Sequence, residues 1–86
     1  MNNIVIYTQR WCPYCVRAKA ILEQKGVSFQ EITVDGNPDA RKIMAKKAGQ
    51  TSVPQIWIGE QHIGGYDQLH SLDQGGKLDS LLDPQF

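Results

Sequence analysis

"IVIYTQRWCPYCVRAKAILEQ", residues 4–24, decides the fold. It opens on an apolar, largely β-branched run, Ile4 to Tyr7, with no polar alternation, the pattern of a short strand buried on both faces. Pro13 then sits where a helix would start, since the N–H it lacks would be unpaired there in any case. Ala18, Ile21 and Leu22, with Val16 and Ala20, fall at helical spacings, while Arg17, Lys19, Glu23 and Gln24 face elsewhere. Gly26 is the natural stop. The stretch reads as strand, turn and helix, with Cys12 at the helix start.

Working outward, "VSFQEITV", 27–34, reads as a second strand anchored by Val27, Phe29, Ile32 and Val34, with strict alternation broken at the Glu31–Ile32 step. "DGNP", 35–38, is a turn whose Asn37 caps a helix with Pro38 at its first position. Ala40, Ile43, Met44 and Ala48 give that helix an apolar stripe, ended by Gly49. "VPQIWIGEQHIG", 53–64, is a hairpin of two antiparallel strands. A helix follows from about Tyr66 with Leu69 and Leu72 inward, Gly75 and Gly76 end it, and Leu78, Leu81 and Leu82 suggest a last helical turn. The first strand–helix–strand unit implies parallel strands joined by a right-handed crossover. The expected fold is α/β: a four-stranded mixed sheet flanked by helices on both faces, in one domain spanning 1–86.

Composition narrows the function. The 86 residues carry nine basic and nine acidic side chains, a formal net charge of zero, so total charge gives no reason to expect nucleic acid or a membrane surface as partner. No apolar run approaches the roughly 18 residues of a membrane span. The chain enters "NIVIYT" without a basic, then apolar, leader, so the expected setting is the cytoplasm; the state expected is a monomer. There glutathione and thioredoxin keep thiols reduced, and a purely structural disulfide would be unusual.

The only two cysteines, Cys12 and Cys15, lie three residues apart. A bridge between them closes too short a loop to stabilise much through chain entropy. A closed zinc site wants four ligands, and only His62 and His70 remain, at a spacing wider than usual and on different elements, so no metal is expected. A redox pair fits better. Unpaired N–H groups and the positive end of the helix dipole favour an anion at Cys12, and the thiolate is the nucleophile in disulfide exchange. Cys15, one turn on, shares its face. Four cations, Arg10, Arg17, Lys19 and Lys25, stand against Glu23 alone in this region. For Lys19 and Lys25 a solvated helix face is the simpler reading. A C-x-x-C that follows a strand and opens a helix inside a βαβ unit reads as thioredoxin-like.

Two further stretches bear on a ligand. In "SVPQ", 52–55, Pro54 is either a strand-edge proline or, if cis, a device that exposes the backbone of Val53 to an extended peptide. In "GGYDQ", 64–68, two glycines permit close backbone approach, and the helix that follows offers free N–H groups to a carboxylate. Asp67 is either that helix's N-cap or a partner for a ligand's ammonium group.

The set C-P-Y-C, T-S-V-P and G-G-Y-D, in this order across nearly the whole chain, closely resembles the dithiol glutaredoxins of the thioredoxin superfamily, especially the compact bacterial type. "GVSFQEI", "VPQI" and "HIGGYDQL" add to the likeness. The resemblance implies a thioredoxin-like fold, a cis Pro54 and glutathione as reducing cosubstrate. It implies that Val53 pairs with the cysteinyl backbone of glutathione, that the γ-glutamyl end sits at Gly65, Tyr66 and Asp67, and that Tyr14 flanks the sulfur. Many relatives carry a lysine three positions before the first cysteine and an arginine two before the Val-Pro pair, where this chain has Gln9 and Thr51. In those relatives the lysine and the arginine help hold the glycyl carboxylate of glutathione. Gln50 matches a common family glutamine, and Arg10 is adjacent to Gln9.

The expectation is an enzyme, a glutathione-dependent thiol–disulfide oxidoreductase in electron transport and cell redox homeostasis. Its partners would be glutathione and disulfide-containing or glutathionylated client proteins. Cys12 attacks; with a disulfide, Cys15 resolves the mixed disulfide and glutathione then reduces the Cys12–Cys15 bond. With a glutathionylated protein, Cys12 takes the glutathione and a second glutathione releases it. Two alternatives stay open: a small donor reduced by thioredoxin reductase, and a glutathione-ligated iron–sulfur carrier, against which Pro13 argues because relatives of that kind generally have a small residue there.

Overall fold

The computed structural model describes residues 3–82; the ends of the expected 1–86 domain, residues 1, 2 and 83–86, lie outside them. The elements run β1 Ile4–Thr8, α1 Pro13–Gln24, β2 Gln30–Thr33, α2 Pro38–Ala48, β3 Gln55–Ile58, β4 Gln61–Gly64, α3 Tyr66–Gln74 and α4 Leu78–Leu82. The sheet order is β2-β1-β3-β4, with β1 parallel to β2 and antiparallel to β3, and β3 antiparallel to β4.

Side-chain parity explains the layers. Ile4 and Ile6 of β1 and Ile56 and Ile58 of β3 point to one face, where they meet Ala18, Ile21 and Leu22 of α1, Leu69 of α3, and Leu78 and Leu82 of α4. Tyr7 and Trp57, one residue out of phase, point to the other face, where they meet Val34 and, from α2, Ala40 and Met44. Strands that carry apolar side chains on both faces must be covered twice, so helices lie on both faces of the four-stranded mixed sheet. Each fully buried Leu or Ile here contributes roughly 1.5–3 kcal/mol.

Parity also explains the broken alternation in "VSFQEITV". Val27 and Phe29 pack on the α1 face, whereas Ile32 and Val34 pack on the α2 face. The strand is shorter than expected, Gln30–Thr33 rather than 27–34, because as an edge strand it pairs only with β1, whose partners run from Val5 to Thr8. Val34 adds one more bond, donating its N–H to Thr8 O at 2.9 Å.

Two helix faces differ from the sequence pattern. Val16 is 62% exposed and Ala20 is exposed, because Cys15, Ala18, Ile21 and Leu22 already fill the contact stripe of α1. Ile43 is 52% exposed, since only Ala40 and Met44 of α2 reach the sheet fully. The caps follow the sequence: Asn37 Oδ1 accepts from Ala40 N–H at 3.1 Å, and Gly49 closes α2 at φ +72°. Lys25, just past α1, forms ion pairs of 2.9 Å with Asp73 and 3.0 Å with Asp79, tying the end of α1 to α3 and α4 and raising the lysine's pKa.

Candidate active site

The N-terminal end of α1 is the meeting point of three connections, and the sequence dictates the local geometry of each. Cys12 is the N-cap of α1, extended at φ −109° and ψ 100°, with Pro13 at the first helical position. Its Sγ accepts the Cys15 N–H at 3.2 Å, as a serine or aspartate oxygen does at other helix starts. Sulfur thereby faces the positive end of the helix. Cys12 is half-buried, whereas Cys15, one turn inside, is 2% exposed; both are free thiols. Burial, chiefly, and the hydrogen bond to Cys12 push the Cys15 thiol up from 9.0 to about 12. The Cys12 charge adds to this, while the Gln9 backbone and Lys19 pull the other way.

Opposite Cys12 runs the segment before β3. The Val53–Pro54 bond is cis. Cys12 Sγ lies 4.0 Å from the Val53 carbonyl oxygen. Val53 precedes the β3 ladder, and its N–H has no hydrogen-bond partner among the described residues. Behind it, buried Gln55 braces the loop: its Nε2 donates to Ser52 O at 3.0 Å, and its Oε1 lies 2.7 Å from His62 Nε2.

The third connection is the β4–α3 turn. Gly65, not Asp67, is the N-cap of α3, and its N–H donates to Gln68 Oε1 at 2.9 Å. Gly64 has φ +115°, and a Cβ there would stand 3.0 Å from Gln68 Oε1, so both conformation and space call for glycine. Asp67 lies in the first turn of α3 and is exposed. Tyr14 and Tyr66 face each other at 5.7 Å between ring centroids, with Arg17 over the Tyr14 ring at 5.5 Å and His70 stacked on Tyr66 at 5.5 Å.

A cleft of about 280 Å³ joins these parts, lined by Tyr14, Gln50, Ser52, Val53, Pro54, Gln55, Gly65, Tyr66, Asp67 and Gln68. Of the site residues expected from the sequence, Gln9, Arg10, Cys12, Cys15 and Thr51 do not line it. Gln9 and Arg10 line a second cleft of about 470 Å³ on the Trp11 side of Cys12. Gln9 Oε1 accepts from Arg41 Nη2 at 3.2 Å, and the Arg10 N–H donates to Asp35 Oδ2. Lys19 is not merely solvated: it pairs with Glu31 at 3.0 Å. Thr8 Oγ1 donates to the same Glu31 oxygen at 2.7 Å, and these two donors, the hydroxyl foremost, hold the Glu31 carboxyl below its usual range.

Sequence reasoning did not single out Ser52, Gln55, Gln68 or Arg41. Gln68 was within reach of it, since a glutamine three positions after a capping residue is a recognisable helix start. Arg41 lies 32 residues from Gln9, and no local signal joins them. Among the described residues no three His, Cys, Asp or Glu side chains gather into a metal-holding group.

Residues 4–63 match the family model described as Glutaredoxin. A glutaredoxin of Pseudomonas aeruginosa is 62% identical over 82 residues, covering 95% of this chain and 98% of that one. Glutaredoxin 3 of Escherichia coli is 58% identical over 82 residues, covering 95% and 99%. Among solved structures, a buckwheat glutaredoxin–glutathione complex superposes with a TM-score of 0.87 at 32% identity, covering 96% of this chain and 78% of that one.

Proposed function

The chain belongs to the glutaredoxin family, whose activity is glutathione-dependent thiol–disulfide exchange, and from that premise we propose how its own residues divide the work. Cys12 is the nucleophile. Its thiolate attacks one sulfur of a client disulfide; a Cys12–client bond forms, the client S–S bond breaks, and the second client sulfur leaves as a thiolate. Cys15 then attacks Cys12 Sγ, expels the first client sulfur and leaves the Cys12–Cys15 disulfide. One glutathione opens that bond as a mixed disulfide on Cys12, and a second departs with the first as glutathione disulfide. With a glutathionylated protein, Cys12 takes the glutathione, the protein thiol leaves, and Cys15 is not needed.

The observation that carries this reading is the Cys12 sulfur capping α1 4.0 Å from the carbonyl of Val53, a residue whose N–H has no partner among the described residues. An extended cysteinyl peptide laid along Val53 would bond to both backbone groups and bring its sulfur to Cys12. The γ-glutamyl end of glutathione then reaches the start of α3, where the first-turn N–H groups of Tyr66 and Asp67 suit its carboxylate and the Asp67 side chain its ammonium. Pro54 and Gly65 let the ligand backbone approach, and Tyr14 covers the sulfur. The glycyl carboxylate extends toward Gln50 and Thr51 and the Gln9–Arg41 pair.

The Cys15 environment supports its role as the resolving thiol. Two of the influences that hold its proton, the hydrogen bond to Cys12 and the Cys12 charge, vanish once Cys12 is bonded to another sulfur. The remaining pull from Lys19 and the Gln9 backbone then acts against burial alone, so Cys15 becomes more nucleophilic at the step that needs it. No helix among the described residues is long and apolar enough to cross a membrane. A monomeric, single-domain enzyme of the cytoplasm, working against the glutathione pool, fits the family's potentials of about −200 to −230 mV.

The test is NADPH oxidation coupled through glutathione and glutathione reductase. Cys12→Ser should abolish turnover on every substrate. Cys15→Ser should lose reduction of protein disulfides but keep removal of glutathione from small mixed disulfides. Substantial activity in Cys12→Ser, or turnover that needs thioredoxin reductase instead of glutathione, would overturn the assignment.

A further inference from the structure

Two clefts flank the start of α1: the one assigned to glutathione, which Tyr14 and Val53 line, and a second that Cys12 itself lines. The second, of about 470 Å³, has Arg10, Trp11, Cys12, Val16 and Lys19 among its lining residues. Its walls are unusual for a surface facing only water. Trp11 is 96% exposed, and its ring makes no aromatic or cation contact among the described residues. It is also the one non-glycine residue described with a positive φ, +57°, a conformation that is strained for a side-chain-bearing residue and is retained where the surroundings or a function demand it. Val16, one turn along, is the second exposed apolar wall. At the rim the two cations differ: Lys19 is neutralised by Glu31, while the Arg10 guanidinium has no partner among the described residues. An unpacked tryptophan and an unneutralised arginine beside a reactive sulfur match the residue types that carry binding energy at protein interfaces, and Val16 adds apolar surface next to them.

We propose that this second cleft seats the client polypeptide. Its occupant is an extended segment in which a bulky apolar residue neighbours the disulfide cysteine and packs on Trp11 and Val16, and in which an acidic residue meets Arg10. A mixed disulfide has two substituents; with glutathione along Val53, the client chain lies on the Trp11 side. Trp11 is thus a specificity-determining residue for clients rather than for glutathione. The inference rests on Cys12 being the attacked and attacking sulfur.

The experiment uses the Cys15→Ser chain, in which a mixed disulfide on Cys12 cannot be resolved. One sample reacts with oxidised glutathione. The other reacts with the symmetrical disulfide of acetyl-Gly-Glu-Cys-Leu-Gly-amide: Cys12 bonds to one peptide sulfur and the other peptide leaves as a thiol. Mass spectrometry confirms each adduct, and acrylamide quenching of tryptophan fluorescence reads the exposure of Trp11, since Trp57 is buried in the sheet face. The peptide adduct should at least halve the quenching constant, and the glutathione adduct should leave it near that of the free chain. Equal quenching in the two adducts overturns the proposal. If Cys12 takes neither adduct, the reading of Cys12 as nucleophile fails, and this inference fails with it. Kinetics separate the ring from the backbone. Preference for the leucine peptide over its serine analogue, in kcat/KM, should fall about five- to tenfold in Trp11→Gly and survive in Trp11→Phe. A preference kept in Trp11→Gly, which relieves the backbone but removes the ring, refutes docking on Trp11.

Discussion

Alkylation of the reduced chain at pH 8 should distinguish the two thiols sharply, and the size of the difference follows from the structure. Cys15 is pushed up from 9.0 to about 12. At pH 8 an ordinary thiol is then about one-tenth thiolate, and Cys15 about one ten-thousandth, a thousandfold deficit in the reactive form. A more basic thiolate is intrinsically the better nucleophile, with a Brønsted slope of about 0.4–0.5 in disulfide exchange, which returns roughly 20–30-fold if alkylation behaves alike. What remains is a deficit of about 30–50-fold, before the near-complete burial of the sulfur slows access further. The assay is timed iodoacetamide labelling read at peptide level by mass spectrometry, with the same chain in urea as internal reference. Cys15 should react at least about 30-fold more slowly in the folded chain than in urea, while Cys12 is labelled readily. Cys12→Ser removes the charge and replaces the sulfur with a hydroxyl, but leaves the burial, the largest cause. Cys15 should then speed up yet stay well below its rate in urea. A folded-chain rate for Cys15 within threefold of the unfolded one would refute the reasoning. Full recovery of that rate in Cys12→Ser would show that burial is not the main cause.

The same proton has a consequence for stability: the folded chain holds it more tightly than the unfolded one, so this contribution is complete below about pH 9 and lost as pH rises toward 12. Urea midpoints of the reduced chain should accordingly fall more steeply over that window than those of Cys15→Ser. Leu22→Ala, at a fully buried position of α1, should cost about 2–5 kcal/mol in urea unfolding, whereas Ile43→Ala, exposed on α2, should change stability by less than about 1 kcal/mol. Arg41→Ala should raise the KM for glutathione a few-fold at low salt and less at high salt, because an exposed pairing with the glycyl carboxylate is worth about 0.2–1 kcal/mol; an unchanged KM would place that carboxylate elsewhere.

Much of this was legible in the chain because the informative features are local. Continuous apolar runs at residues 4–7 and 56–58 demand cover on two faces, and Pro13, Asn37 and Gly49 mark helix ends by their own backbone chemistry. What sequence alone hid was relational. The break at Glu31–Ile32 looked like a fault in a strand, but it reports a segment that feeds both cores in turn. Val16 and Ile43 sit at plausible helical spacings, and only the width of the contact with the sheet shows that each is surplus to it. Asp67 looked like a cap because aspartate often is one; the glycine two residues earlier takes that place, with Gln68 closing back on it. The pairing of Gln9 with Arg41, and the placing of Gln9 and Arg10 on the Trp11 side of Cys12, depend on tertiary structure.

The central claim is that glutathione bonds to Cys12 and lies along Val53 toward the start of α3. Amide chemical shifts of the Cys15→Ser chain, recorded before and after glutathionylation, test it most directly. The account predicts a large shift of the Val53 N–H as it gains a hydrogen-bond partner, with Tyr66, Asp67 and Gln68 moving alongside it and Trp11 and Val16 little changed. An unmoved Val53, with the perturbation centred on Arg10, Trp11 and Val16, would contradict it.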